Sequence, residues 1–220
     1  MNATVLPDPE TVARAAAEVV VEASAAAGER FAICLTGGPE ARMLYRLLAT
    51  AEYARRIDWA RWDVFYGDER QVALNDAAAS NHGAAQLALL DHVPVAAGRV
   101  HPMTDADQYE GLLRAYFGEA PRFDLLLMGL GADGHTASLF PGSVSLLEDE
   151  RWVIKPPDVV EGMARITLTV PALNAARRTL FAAWGSAKHA AIERIRAGEQ
   201  LPAALVRNAA WLVDEAAWSG

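Results

Sequence analysis

Short apolar runs alternate with amphipathic stretches along most of this chain, and that alternation constrains the fold more than any other feature. FAICLT (31–36), WDVFY (62–66) and FDLLLMG (123–129) lack the polar-apolar alternation of a half-exposed strand. Runs of this kind suit strands buried on both faces. RWVIK (151–155), ARITLTV (164–170), TLFAAWG (179–185) and AWLVD (210–214) read as further strands. Between them lie stretches with helical spacing at 9–27, 39–50, 78–91 and 186–198. Asp8 and Pro9 suit the start of the first helix and Gly28 its end, with Val12, Ala16, Val19, Val20 and Ala23 on one face. Met43, Leu44, Leu47 and Leu48 face inward on the second helix, and Gly198 ends the last. The pattern predicts an α/β fold: a three-layer, Rossmann-like domain over 1–220, its mainly parallel sheet covered by helices on both faces. Sites in such folds form at the carboxyl ends of the strands.

Length and composition agree. The chain has 220 residues and 52% apolar content, enough for one sizeable core. No apolar run approaches the 18 residues of a membrane span. The N-terminal MNATVLPDPE lacks the basic and apolar regions of a signal peptide. The single Cys34 sits in an apolar run and reads as a small core residue, consistent with a reducing cytoplasm. The net charge of −8 and the lack of a basic stripe argue against nucleic acid as a partner. A phosphate ligand would need local cations and backbone N–H groups strong enough to outweigh that acidic field. The sequence sets no oligomeric state, and a monomer is compatible with it.

GLGADG (129–134) matches the dinucleotide fingerprint G-x-G-x-x-G and follows a strand. A dinucleotide site also needs an acidic residue about 20 residues on, at the end of the next strand. Here Glu148, Asp149 and Glu150 precede that strand, Lys155 ends it, and Pro141-Gly142 truncates any helix after the loop. The glycines Gly129, Gly131 and Gly134 instead read as a sharp turn that lets the backbone approach a ligand. That turn presents Asp133 and His135: an imidazole able to exchange a proton near neutral pH, and a carboxylate able to orient it. The plainer alternative is a histidine that caps a short helix starting there.

Other strand ends carry chemistry of their own. Gly37 and Gly38 open a helix whose first N–H groups form an anion site. Glu40 in its first turn would repel a phosphate and is expected to point to solvent. FYGDERQV sets Asp68, Glu69 and Arg70 at a strand end, with Asp68 as a polar catalytic or orienting group and Arg70 as a fork for phosphate or carboxylate. A solvated, salt-bridged turn is the alternative. Ser80 or Asn81 is expected to start the next helix. GSAK places Lys188 in a first helical turn, where the dipole disfavours a cation unless an anion sits between. His82, His92, His101 and His189 show no zinc spacing, and no G-x-S-x-G elbow occurs.

Together these segments resemble the 6-phosphogluconolactonase family. The resembling pieces are LTGGPEARMLY, FYGDERQV with SN at 80–81, FDLLLMGLGADGHTASLFPG, IKPP, ARITLTVPALNAAR, GSAK and LPAALV, in the family's order from about residue 31 to residue 214. The resemblance implies the α/β fold of sugar-phosphate isomerases and hydrolysis of 6-phospho-D-glucono-1,5-lactone to 6-phosphogluconate, a cytoplasmic step of the pentose phosphate pathway. It implies no cofactor and no metal. It makes His135 the acid/base, with Asp68 and Asp133 positioning the imidazole or the water. Arg70, Lys188 and the Gly37-Gly38 backbone hold the phosphate, Gly131 belongs to the substrate loop, and Arg165 is a further contact or a structural salt bridge. Two departures bear on affinity: Pro39-Glu40 stands where the family commonly has a hydroxyl residue, and 71–79 lacks a proline usual after the DER segment.

Two rivals stand beside this reading, the second from a different class. A glucosamine-6-phosphate deaminase/isomerase shares the DGH loop but usually carries a glutamate five residues after the histidine; here that residue is Phe140, which cannot relay a proton. A non-catalytic sugar-phosphate-binding protein would not need His135, Asp68 and Arg70 together.

Overall fold

The computed structural model describes residues 1–160 and 162–220. The elements run β1 Asn2–Leu6, α1 Pro9–Ala26, β2 Phe31–Leu35, α2 Pro39–Leu48, α3 Ala51–Ala54, β3 Trp62–Tyr66, β4 Asp68–Arg70, α4 Asn81–Ala88 and α5 Ala106–Phe117. They continue β5 Leu125–Met128, β6 Val153–Ile154, β7 Arg165–Leu168, α6 Val170–Asn174, β8 Thr179–Ala183, α7 His189–Arg196, α8 Pro202–Leu205, β9 Ala210–Asp214 and α9 Glu215–Ser219.

Six strands form a parallel sheet in the order β1-β9-β8-β5-β2-β3. Every residue of β2, β3 and β5 is buried. Burial on both faces is why these segments carry no polar alternation. The fold class is the one the sequence predicts. Cys34 lies in the core, where burial pushes its thiol well up. α1 starts as expected, with the Asp8 carboxylate accepting from the Thr11 N–H at 2.7 Å, but it ends without Gly28. Ala27 leaves the helix in an extended conformation while its N–H still bonds Ala23 O. Its inner face packs on β8 and β9, and Ser24 accepts from the buried Trp62 indole at 3.0 Å.

The structure departs from the sequence expectation in further places. Met43 of α2, expected to face inward, is exposed. The 151–155 and 164–170 segments leave the main sheet: β6 and β7 pair antiparallel with each other, and β7 pairs with β4. The edge strand β1, mostly exposed, and the helix α5, capped by Asp105 and ended by Gly118 at φ 75°, are additional. The expected helix at 186–198 is a 3-10 turn over Ser186–Lys188 followed by α7, so Lys188 precedes the α-helix instead of sitting in its first turn.

The chain runs from β2 outward to β3, then returns to place β5 on the other side of β2. That reversal opens a crevice beyond the carboxyl ends of β2 and β5, the place where open α/β sheets bind ligands.

Candidate active site

A cleft of about 240 Å³ occupies this crevice. Gly37, Gly38 and Glu40 reach it from the β2 end, Asp68 and Arg70 from beyond β3, and Gly131 and His135 from the β5 loop. Arg165 of β7 and Lys188 beyond β8 close the ring. The structure thus gathers residues that stand far apart in the chain. A larger open groove of about 590 Å³ lies where α2 and α4 pack together, but no carboxylate and none of the glycine loops lines it.

The β5 loop folds back on itself. Gly131 N–H donates to His135 O at 2.8 Å, and Gly134 N–H to Gly131 O at 3.0 Å. This brings Asp133 onto the histidine: its Oδ1 lies 2.6 Å from His135 Nδ1 and accepts from the His135 N–H at 3.0 Å. Burial works against the Asp133 charge, but these hydrogen bonds and the imidazole outweigh it and hold the carboxyl below its ordinary value. A Cβ on residue 131 would fall 2.0 Å from His135 Nδ1 and 2.7 Å from Asp133 Oδ1; only glycine leaves room for the pair. No helix begins at the loop for His135 to cap. The chain makes a tight turn through 136–139, with Ala137 at φ 49°. The same turn leaves no helix N-terminus for a pyrophosphate, which removes the structural basis of the dinucleotide fingerprint.

Phe140, which sets the chain apart from the deaminase pattern, packs against the imidazole with ring centroids 4.8 Å apart. The buried Arg165 guanidinium lies over its ring at 5.6 Å. Phe140 gives the histidine an apolar support in place of a proton relay.

Asp68 is buried on the cleft wall. Ser138 Oγ donates to its Oδ2 at 2.6 Å, and Asn81 Nδ2 donates to its Oδ1 at 3.0 Å and to its backbone O at 2.9 Å. Asp133 is the carboxylate on the imidazole; Asp68 is held by these amide and hydroxyl donors. Asn81 also presses on the β2 turn, where a Cβ at Gly37 would meet its Oδ1 at 1.9 Å. Glu69 has a role that its charge-rich neighbourhood concealed. Its buried carboxylate accepts from the N–H groups of Arg70, Asn81 and His82 and from Ser80 Oγ, all within 2.9 Å. It therefore serves as the anion at the start of α4, where Ser80 also caps through the Gly83 N–H. Burial nonetheless raises its carboxyl above the ordinary value.

Two cations face the glycine turn. Arg70 donates to Ala79 O at 2.7 Å, and Lys188 Nζ to Leu130 O at 2.6 Å. Gly38, at φ 99°, precedes α2, whose start has no side-chain cap and lines the cleft. Glu40 does not point to solvent. Its Oε1 lies 3.2 Å from Lys188 Nζ inside the cleft, drawn in by a lysine that the local sequence does not show.

A family model described as glucosamine-6-phosphate isomerases/6-phosphogluconolactonase matches residues 7–218. A 6-phosphogluconolactonase of Synechocystis sp. is 37% identical over 84% of this chain and 82% of its own length. The human 6-phosphogluconolactonase is 39% identical over 88% of this chain and 81% of its own. The crystal structure of 6-phosphogluconolactonase from Thermotoga maritima superposes with a TM-score of 0.84 at 25% identity, covering 97% of this chain and 99% of that one. By sequence and by fold, this chain belongs to the glucosamine-6-phosphate isomerase/6-phosphogluconolactonase family.

Proposed function

We propose that the protein hydrolyses 6-phospho-D-glucono-1,5-lactone to 6-phosphogluconate, and that residues 1–220 act as one lactonase domain. The observation that carries this reading is the His135–Asp133 pair, set in one cleft with Arg70, Lys188 and the uncapped start of α2. An acid/base thus stands opposite a site for an anion, as a phosphorylated lactone requires. The named relatives support the same reaction.

The chemistry follows from the hydrogen bonds. In the neutral imidazole one nitrogen donates and the other accepts. Asp133 takes the Nδ1–H, which leaves Nε2 as the base. Nε2 removes a proton from water as its oxygen bonds to the lactone carbonyl carbon, giving a tetrahedral oxyanion. When the oxyanion collapses, the bond to the ring oxygen breaks, and the imidazolium returns the proton to that oxygen. The products are the carboxylic acid, which ionises, and the freed hydroxyl. Proton transfer of this kind contributes roughly 10²–10⁴-fold. Asp68, fixed by Asn81 and Ser138, orients the attacking water. Arg70, Lys188 and the N–H groups beyond Gly37-Gly38 hold the phosphate, Gly131 gives the loop its close approach, and Arg165 supports the imidazole through Phe140 and lines the phosphate side.

The test is a paired assay. Lactone generated in situ from glucose 6-phosphate should disappear faster than its spontaneous hydrolysis, and glucosamine 6-phosphate should release no ammonia. Ammonia release without lactone hydrolysis would overturn the proposal in favour of the deaminase.

A further inference from the structure

Lys188 already has an anion. Glu40 is the second residue of α2, and its carboxylate folds back over the start of its own helix. Oε1 lies 3.2 Å from Lys188 Nζ, and the two side chains retain only 11% and 17% of their exposure. Oε2 comes within 3.2 Å of the place where a Cβ on Gly38 would stand. The helix has no side-chain cap, so a negative group above Gly38 is favoured by free N–H groups and by the helix dipole. These are the same attractions that the cleft offers a phosphate.

We infer that Glu40 is an internal competitor for the substrate's phosphate. Its carboxylate occupies the place between the start of α2 and Lys188, and it swings out when a phosphate arrives. This inference rests on reading the cleft as a sugar-phosphate site. One Lys188 N–H is on Leu130 O and another faces Glu40, so a phosphate that takes the place of the Glu40 carboxylate breaks that pair and then lies near the expelled carboxylate. Like charges a few ångströms apart in a half-buried site repel far more than they do in water. Glu40 therefore sets how tightly the cleft holds a phosphate ester, and it penalises a dianion more than a singly charged or neutral sugar.

Glu40→Gln keeps the shape and leaves an acceptor for Lys188 but removes the charge. Titration calorimetry with inorganic phosphate at low ionic strength should show at least about tenfold tighter binding to E40Q than to the wild type. The gain should shrink as salt screens the site. The lactone KM should fall in the same direction, with the change carried in KM and not in kcat. Equal phosphate affinity in the two proteins would overturn the inference, and weaker binding to E40Q would show instead that Glu40 holds Lys188 ready for the phosphate. Absence of phosphate binding to both would overturn it together with the phosphate site. A wild type inactive on the lactone, with E40Q still binding phosphate more tightly, would sink the proposed reaction and leave the competitor standing.

Discussion

Replacing Gly131 by alanine adds one methyl group directly against the imidazole. The new Cβ would lie 2.0 Å from His135 Nδ1 and 2.2 Å from its Cε1. Ordinary contact begins near 3.4 Å, so the ring must retreat by about 1.4 Å, the difference between 3.4 and 2.0. Asp133 Oδ1, 2.7 Å from the same methyl, blocks one direction of escape. A displacement of about 1 Å at a reacting group costs roughly 10²-fold, or about 2.7 kcal/mol of barrier. Gly131→Ala should therefore lower kcat for lactone hydrolysis by at least about 10²-fold. Stability should change little. Gly131 is not in the left-handed region, and the Asp133–His135 pair it disturbs is partly exposed, which limits the loss to about 1 kcal/mol and the fall in Tm to about 4 °C. Steady-state kinetics and a thermal melt on the same preparation test both halves. A G131A protein that melts normally and turns over at the wild-type rate would refute the claim that this glycine makes room for the imidazole.

Two further substitutions probe stability away from the cleft. Gly111 lies exposed inside α5 with open space where a Cβ would stand, so Gly111→Ala should raise stability by up to about 1 kcal/mol, read as a higher denaturation midpoint with unchanged activity. Burial holds the His101 imidazole below its ordinary value of 6.5 despite Asp63, whose Oδ1 lies 3.6 Å away; the Arg30 charge on that carboxylate adds to the depression. The unfolded chain therefore binds a proton at His101 that the folded chain refuses. Stability from this group is complete above about pH 6.5 and declines as the pH falls below it. Urea midpoints should drop between about pH 7.5 and about pH 5.5, and His101→Gln should remove part of that drop; an unchanged slope would show that another group carries it. His82, also depressed by burial, acts in the same direction.

The parts of the fold that could be read from the sequence share one physical property. β2, β3 and β5 are buried on both faces, so their runs are apolar apart from the ion-paired Asp63 of β3, and each leads into a loop shaped by glycine. β1 is an exposed edge strand with no such run. The 151–155 and 164–170 segments look like sheet strands because they are strands, but pairing partners are a long-range property. Nothing local to RWVIK shows that it joins β7, or that Asp68–Arg70 extends that ladder. The site divides in the same way. Asp133 and His135 meet within one loop, so a two-residue spacing predicts their contact. Glu40 is drawn inward by Lys188 on a distant loop, and its position in a first helical turn, where a carboxylate commonly faces water, points the wrong way. Glu69 takes the start of α4 because β4 runs beside it, a relation that a charge cluster in the sequence does not disclose.

The most direct test of His135 as the acid/base compares lactone hydrolysis by the wild type with that of His135→Ala, each corrected for the spontaneous rate and each checked for folding by circular dichroism. The wild type should run well above background, and the folded variant should be slower by roughly 10²–10⁴-fold. A folded His135→Ala protein that keeps the wild-type rate would contradict the assignment of the acid/base to this imidazole.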